Sequence, residues 1–103
     1  MSNVPIFKIV TSQEWSIAKD TGYFKGSELD ITDGFIHCST AEQVPGTKDK
    51  FFSGEKNLIL LSIDTTQIQE NIKWEESPNS GKLYPHIYGT LPLSAIIKEE
   101  KIV

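Results

Sequence analysis

The sequence predicts a single α+β domain with about six short strands, in small mixed or antiparallel sheets, and two short helices. With 38% hydrophobic and 23% charged residues, its 103 residues have a globular composition and the length of one domain. Short apolar runs bounded by Gly and Pro indicate strands, and two capping-box patterns indicate helix starts. No repeat or linker divides the chain, so we expect one domain over residues 1–103.

The first quarter of the chain predicts one strand followed by one helix. Residues 6–10 form an apolar run that is typical of a strand. Thr11 and Glu14 then match a capping box, in which the two side chains bind backbone amides at a helix start. We expect the helix to reach about Asp20, and Gly22 suits the left-handed residue that ends it.

The segment from residue 33 to residue 52 predicts a strand, a tight junction and a second helix. The Asp-Gly pair at 33–34 indicates a turn before the β-rich residues 35–38. Ser39 and Glu42 repeat the capping-box pattern, so a helical stretch is expected over residues 40–52, broken at Pro45 and closed by Gly54.

The second half of the chain predicts the remaining strands. Residues 57–63 are apolar on both alternating sets, which indicates a central strand covered on both faces. Residues 72–76 alternate as a half-buried strand, and residues 78–81 indicate a loop. Two further strands are expected at 84–89 and 95–103.

Charge and composition narrow the classes of function. All ten basic residues are lysines and the net charge is −4, which disfavours extended nucleic-acid binding because that role needs a basic, arginine-rich surface. The longest apolar run, residues 58–61, is too short to cross a bilayer. With one cysteine and no apolar signal segment at the start, we expect a cytoplasmic protein without membrane contact.

Alternation along residues 35–39 divides their side chains between two faces. Phe35, His37 and Ser39 share one face, while Ile36 and Cys38 share the other. We expect Cys38 to be a small buried hydrophobe, because a reactive thiol needs an accessible, electropositive setting.

His37 is the first candidate site residue because it ends a strand immediately before a predicted helix start, where free amides face outward. Such a corner suits a ligand, and Ser39, Thr40 and Gln43 are expected to line it. The alternative is a histidine whose ring nitrogens only bind neighbouring backbone groups.

His86 is the second candidate because it lies between Tyr84 and Tyr88 at strand spacing. One face would then present two phenols around an imidazole, an arrangement suited to a planar ligand such as a nucleobase or a nicotinamide. An aromatic strand that only packs on a neighbouring loop has the same pattern.

Trp74 and Glu75 form a third candidate. A carboxylate beside a large aromatic has a raised pKa when the site is dry, and an exposed glutamate at a strand edge is the alternative. No metal site is expected, since two histidines about fifty positions apart match no metal-ligand motif. A hydrolase using Ser39 or Cys38 with a histidine base stays open on residue types alone.

Four segments, DGFIHCSTAEQVPGT, FFSGEKNLILLSID, IKWEES and LYPHIYGTLPL, carry a family resemblance. In this order they resemble the signature segments of a bacterial family of unknown function, numbered nine hundred and fifty-two, over nearly the whole chain. That family is similar in fold to the ADP-ribosyltransferase-like group, whose members bind a dinucleotide in a cleft between two small sheets.

The resemblance implies roles for several residues. His37-Cys38-Ser39 is similar to the group's first motif, a histidine that contacts the adenosine-side ribose. The group's catalytic glutamate has no assigned counterpart here, and Glu75 is a candidate by residue type. The resemblance thus implies an ADP-ribosyltransferase-like fold with an NAD or ADP-ribose-like ligand.

Taken together, the sequence predicts a small-molecule pocket that binds a nucleotide or NAD-like ligand. In an ADP-ribosyl-type transferase or hydrolase, His37 and Glu75 would be catalytic, with His37 orienting a ribose hydroxyl and Glu75 stabilising a cationic centre or accepting a proton. The alternative is a non-catalytic metabolite sensor or protein-interaction module. The residues expected to bind the ligand are Ser39, Thr40, Gln43, Trp74, His86 and Tyr88.

Overall fold

Three small antiparallel sheets and three α-helices make up the computed structural model, which describes residues 4–77 and 81–102. The expected loop at residues 78–81 therefore lies outside the described residues except for Gly81. The strands are β1 (Ile6–Thr11), β2 (Tyr23–Phe24), β3 (Ile36–His37), β4 (Leu58–Ile63), β5 (Ile72–Glu76), β6 (Leu83–Ile87), β7 (Leu91–Pro92) and β8 (Ile96–Lys101), and the helices are α1 (Ser12–Thr21), α2 (Glu28–Asp33) and α3 (Val44–Phe51).

The first sheet has the order β1-β4-β8, with the apolar strand β4 in the middle, as its sequence predicts. Leu58, Leu61 and Ile63 of this strand are fully buried. Both neighbours run antiparallel to β4, and Ile6 lies opposite Ile63. Burial of these branched side chains stabilises the sheet and fixes its register, because a one-residue slip would expose the buried set.

The second sheet has the order β3-β6-β5, and it carries four of the candidate site residues: His37, Trp74, Glu75 and His86. Its pairings are antiparallel and set Ile36 opposite Ile87 and His37 opposite His86. A two-way backbone bridge between Phe7 and Ser39 joins β1 of the first sheet to the chain directly after β3. The two sheets are therefore neighbours at this point.

The prediction of six strands and two helices misses three short elements. Strands β2 and β7 have two residues each and pair only with one another, which is too short for an alternation pattern to reveal. Helix α2 spans six residues, and its Gly34 cap, at a φ of 87°, is the turn that the Asp-Gly pair predicts. All ladders between described strands are antiparallel, so the mixed alternative is wrong.

The capping boxes are present, one of them shifted by a residue. Thr11 and Glu14 cap α1 reciprocally, and Gly22 ends it in the left-handed conformation, both as predicted. The second box uses Thr40 and Gln43 instead of Ser39 and Glu42. It starts a short 3-10 turn that leads directly into α3, because the Ser39 backbone is already held by the bridge to β1.

The core lies between the sheets and α1, and it contains Cys38 as predicted. Burial raises the pKa of the Cys38 thiol to about 12, so the thiolate is absent at neutral pH. None of the helices in the described ranges is long and apolar enough to cross a membrane.

Candidate functional site

A cavity of about 880 Å³ opens between the two larger sheets. Its lining comes from β1, α1, α2, β3, α3, β5 and β6, so it gathers side chains from distant parts of the chain. A second hollow, of about 510 Å³, follows residues 66–71, and Glu70 is its one titratable side chain among the residues described. The cavity between the sheets is therefore the candidate site.

His37 and His86 share this cavity. They are opposite each other in the β3–β6 pairing, and opposite residues of an antiparallel pair project from the same face. Their ring centroids are 5.4 Å apart, with the ring planes at 68°. The pairing brings together two histidines that are far apart in sequence.

Glu75 holds one nitrogen of His86. Its Oε1 lies 2.7 Å from Nδ1 of His86 and also accepts a 2.8 Å hydrogen bond from the Tyr88 hydroxyl. An ionised carboxylate can only accept a hydrogen bond, so Nδ1 of the neutral imidazole must carry the proton that it donates to Glu75. The other ring nitrogen, Nε2, then has a lone pair and can accept a hydrogen bond. Nε2 makes no hydrogen bond to any residue in 4–77 or 81–102.

The Glu75 site is not the dry one that would raise the pKa of a carboxyl, and the alternative of a partly exposed glutamate at a strand edge holds, with the side chain 39% exposed. The hydrogen bond from His86, followed by that from Tyr88, lowers the pKa of the Glu75 carboxyl, because both donors stabilise its charged form. The hydrogen bond between Tyr88 and Glu75 also raises the pKa of the Tyr88 phenol. Trp74 does not dry the site, since adjacent residues of a strand point to opposite faces and Trp74 is half exposed.

Asp30 and Asp33 of α2 bracket His37. Oδ1 of Asp30 lies 2.6 Å from Nδ1 of His37 and also accepts the His37 backbone amide at 3.1 Å. Oδ2 of Asp33 lies 3.1 Å from Nε2. A ligand therefore reaches His37 Nε2 only by displacing Asp33, whose side chain is 40% exposed.

The Asp30 carboxylate that contacts His37 is also half of a buried ion pair. Lys8 Nζ lies 2.8 Å from Oδ2 of Asp30, and the two side chains are only 8% and 1% exposed. Burial alone would raise the pKa of Asp30, but the hydrogen bond to His37 and the charge of Lys8 outweigh it and hold that pKa well below its ordinary value. Asp30 also accepts the Ser27 amide at 2.9 Å, which completes the cap of α2.

Phe35 links the two histidines. Its ring stacks on His86 at 4.1 Å between centroids and lies 4.6 Å from His37 and 5.4 Å from Tyr88. Stacked and tilted ring pairs at these distances are attractive and restrict rotation. The four rings form one wall of the cavity.

The remaining predicted site residues divide into two groups. Ser39 lines the cavity, is buried and shares a 2.9 Å hydrogen bond with the Thr47 hydroxyl. Thr40, Gln43 and Trp74 lie outside the described lining. Thr40 and Gln43 cap the 3-10 turn, so the helix start after His37 has its Thr40 and Gln43 amides bonded instead of open.

Sequence reasoning missed Lys8 and Asp30. Lys8 alternates with Ile6 and Val10 on the inward face of a strand, and a lysine there needs a buried counter-charge, which is a readable signal. Asp30 follows Ser27 by three residues, but an aspartate at that position is a less familiar capping-box partner. In the described part of the chain, no three His, Cys, Asp or Glu side chains are grouped for a metal ion.

Gly26 gives a stability prediction at this site. It has a φ of +114°, and an added Cβ would lie 2.7 Å from the Asp30 Cβ. Gly26→Ala therefore combines backbone strain of about 1–3 kcal/mol with displacement of Asp30. Gly22→Ala, at a φ of +93° with open space around it, is the matched control with strain alone, about 1–2 kcal/mol. Equal urea midpoints for the two variants would contradict the close approach.

Fold and site together define a small α+β domain in which two carboxylate–histidine pairs line one cavity. The chain belongs to the family described as Protein of unknown function (DUF952), whose model matches residues 9–99, as the motifs predict.

Solved structures of one protein, CC0527 from Caulobacter crescentus, are similar to this chain. Its crystal structure is 42% identical with a TM-score of 0.88, and the match covers 92% of this chain and 82% of that chain. Its solution NMR structure is 40% identical with a TM-score of 0.84, covering 96% and 84%. Comparison with curated proteins gave no match. The likeness to the ADP-ribosyltransferase-like group stays a hypothesis.

Proposed function

We propose that the cavity is the active site of an enzyme acting on a small molecule, with His86 as general base and general acid. One observation carries the proposal: His86 lines the cavity and is held at Nδ1 by Glu75, while its Nε2 has no hydrogen-bond partner within residues 4–77 and 81–102. A general base needs an oriented ring, a defined tautomer and a free acceptor facing the substrate. His86 meets all three requirements.

The chemistry follows from the proton positions. Nε2 of His86 accepts the proton of a substrate hydroxyl or of water as that oxygen attacks an electrophilic carbon or phosphorus. The imidazolium that forms keeps its Nδ1–H bonded to the Glu75 carboxylate, which stabilises the positive charge. The Nε2 proton then passes to the leaving group, which restores the neutral histidine.

Glu75 serves this reaction as an anion. Its lowered pKa keeps it ionised at neutral pH, so it stabilises positive charge on His86 or on the substrate and does not accept the proton itself. The two ring nitrogens of His37 face Asp30 and Asp33, and its ring packs against Phe35 in the wall of the cavity. His37 contacts a ligand only after Asp33 is displaced.

A nucleotide or NAD-like ligand is the substrate class that the sequence resemblance implies. It is supported by the ring wall around Phe35, by the volume of about 880 Å³ and by the placement between two small sheets that the resemblance implies. Lys8 and Lys50 are the only lysines of the described lining, and the chain has no arginine, so phosphate groups have few cationic partners there.

The experiment is a thermal-shift screen against NAD, ADP-ribose, nucleotides and hydroxylated metabolites, followed by product analysis for each stabilising compound. We expect a stabilising compound to be converted by the native protein, and His86→Asn to keep the thermal shift while losing conversion. Binding without conversion would favour the metabolite-sensor alternative. Equal conversion by His86→Asn would contradict the assignment of His86.

A further inference from the structure

The cavity carries an excess of negative charge. Its described lining contributes six carboxylates and two lysine ammonium groups, a formal charge of −4 with neutral histidines, which equals the net charge of the whole chain. The negative charge of this protein is thus concentrated where a ligand would enter. A low-dielectric concave wall strengthens such a field relative to a flat surface.

Pairing inside the wall leaves this excess largely uncompensated. The Lys8 ammonium pairs with Asp30, so Lys50 is the one other lysine of the described lining, against five further carboxylates. Lys73, beside this lining, also attracts Glu75, but its charge is the smallest of the effects on that carboxyl. On Glu75, both hydrogen bonds end on Oε1, and Oε2 has no hydrogen-bond partner among the residues the structure describes. This carboxylate oxygen is available to a ligand.

Aromatic rings complete the lining: Phe7, Phe35, Phe51, Phe52, Tyr84 and Tyr88. Ring faces attract cations through their quadrupole, and rings beside carboxylates are the usual means of recognising organic cations. Two of these rings already face lysine ammonium groups of this chain, Tyr88 with Lys73 Nζ at 4.9 Å and Phe51 with Lys50 Nζ at 5.3 Å. The rings at this site therefore accept a positive charge.

A buried polar group also points to a ligand in this cavity. His86 is nine-tenths buried, yet its Nε2 has no hydrogen-bond partner among the described residues. Every fully buried side-chain nitrogen or oxygen of the described residues has such a partner, so Nε2 is not fully buried. Nε2 therefore borders the open volume, beside the carboxylate of Glu75.

We propose that this cavity selects an organic cation: an apolar or aromatic group that packs against the rings and bears a positive centre that pairs with Oε2 of Glu75. The inference uses the cavity of the proposed function and names its ligand class, but it rests on charge and rings instead of on proton transfer. An anionic group in the same position, such as a phosphate, would be repelled by the carboxylates and is therefore disfavoured.

The test uses three probes of nearly equal size: phenethylamine (cation), 2-phenylethanol (neutral) and 3-phenylpropionate (anion). Affinities are measured by NMR titration of the native protein at low salt. We expect the amine to bind best and the carboxylate worst, with the amine at least about tenfold tighter than the carboxylate, as the screened attraction of one nearby charge predicts. Raised salt should narrow that gap.

Variants assign the effect to the cavity. Glu75→Gln should weaken the amine about tenfold and leave the alcohol nearly unchanged, whereas Glu70→Gln, outside this cavity, should change neither. Equal or tighter binding of the carboxylate, no binding of the amine at millimolar concentration, or an unchanged amine affinity in Glu75→Gln would overturn the proposal. His86→Asn should retain the order of the probes, so a failure of the acid–base assignment is distinguishable.

Discussion

Replacing Asp30 with asparagine is expected to lower the free energy of unfolding by about 3–5 kcal/mol. The carboxylate is 1% exposed and accepts hydrogen bonds from Lys8, from the backbone and ring of His37 and from the Ser27 amide. Asparagine is similar in size but uncharged, so the buried Lys8 ammonium would lose its counter-charge. Urea unfolding of the two proteins at pH 7 measures the difference.

The loss should depend on pH in a defined direction. The pKa of Asp30 is below its ordinary value in the folded protein, while in the unfolded chain it is about 3.9. The carboxylate therefore contributes its full stabilisation above the unfolded value, and the contribution is lost as the pH falls towards the folded value. The stability curves of the native protein and Asp30→Asn should converge in acid.

Two further variants test the cause of this effect. Asp20→Asn removes an exposed aspartate of α1 and should change stability by less than about 0.5 kcal/mol. Lys8→Met leaves Asp30 buried without its ammonium partner and should be strongly destabilising, whereas Lys8→Met combined with Asp30→Asn should cost less than the two single losses added. Strict additivity would show that the ion pair is not the source.

Replacing Glu75 with glutamine is expected to reduce turnover about 10²- to 10⁴-fold with little loss of binding for a neutral substrate. The glutamine amide can donate to Nδ1 of His86, which moves the imidazole proton to Nε2 and removes the acceptor that faces the cavity. The side chain at position 75 then donates the hydrogen bond to Nδ1 instead of accepting it. Steady-state kinetics on a substrate from the thermal-shift screen, over a range of pH, measure this effect.

Tyr88→Phe and Glu70→Gln are the companion variants. Tyr88→Phe removes one of the two donors to Glu75, so it should raise the pKa of that carboxyl and reduce turnover less than Glu75→Gln does. Glu70→Gln removes an exposed glutamate outside the cavity and should leave kcat unchanged. If Glu75→Gln turned over substrate at the native rate, His86 would not depend on this carboxylate.

Local patterns predicted the long elements and missed the short ones. The apolar strand β4 and the cap of α1 depend on residues close together in sequence, so their signals are complete in a short window. Strands β2 and β7 consist of two residues each and exist because they pair with one another. Such elements depend on tertiary contacts and carry little local signal.

The site shows the same division. Alternation placed Phe35, His37 and Ser39 on one face, and all three line the cavity. Alternation also placed Tyr84, His86 and Tyr88 on one face, and all three line it as well. The partners of the histidines were not predictable in this way, because Glu75 reaches His86 through the β5–β6 pairing.

The sequence by itself determined the family, the α+β class, the capped helix α1, the central strand β4 and the burial of Cys38, because each depends on residue types at short spacing. Only the tertiary structure decided that His37 and His86 share a cavity, that Glu75 is an anion bound to His86 and that Lys8 supports Asp30. The physical reason is strand register: a pairing of distant strands fixes which charged groups meet, and their pKa values follow from those contacts.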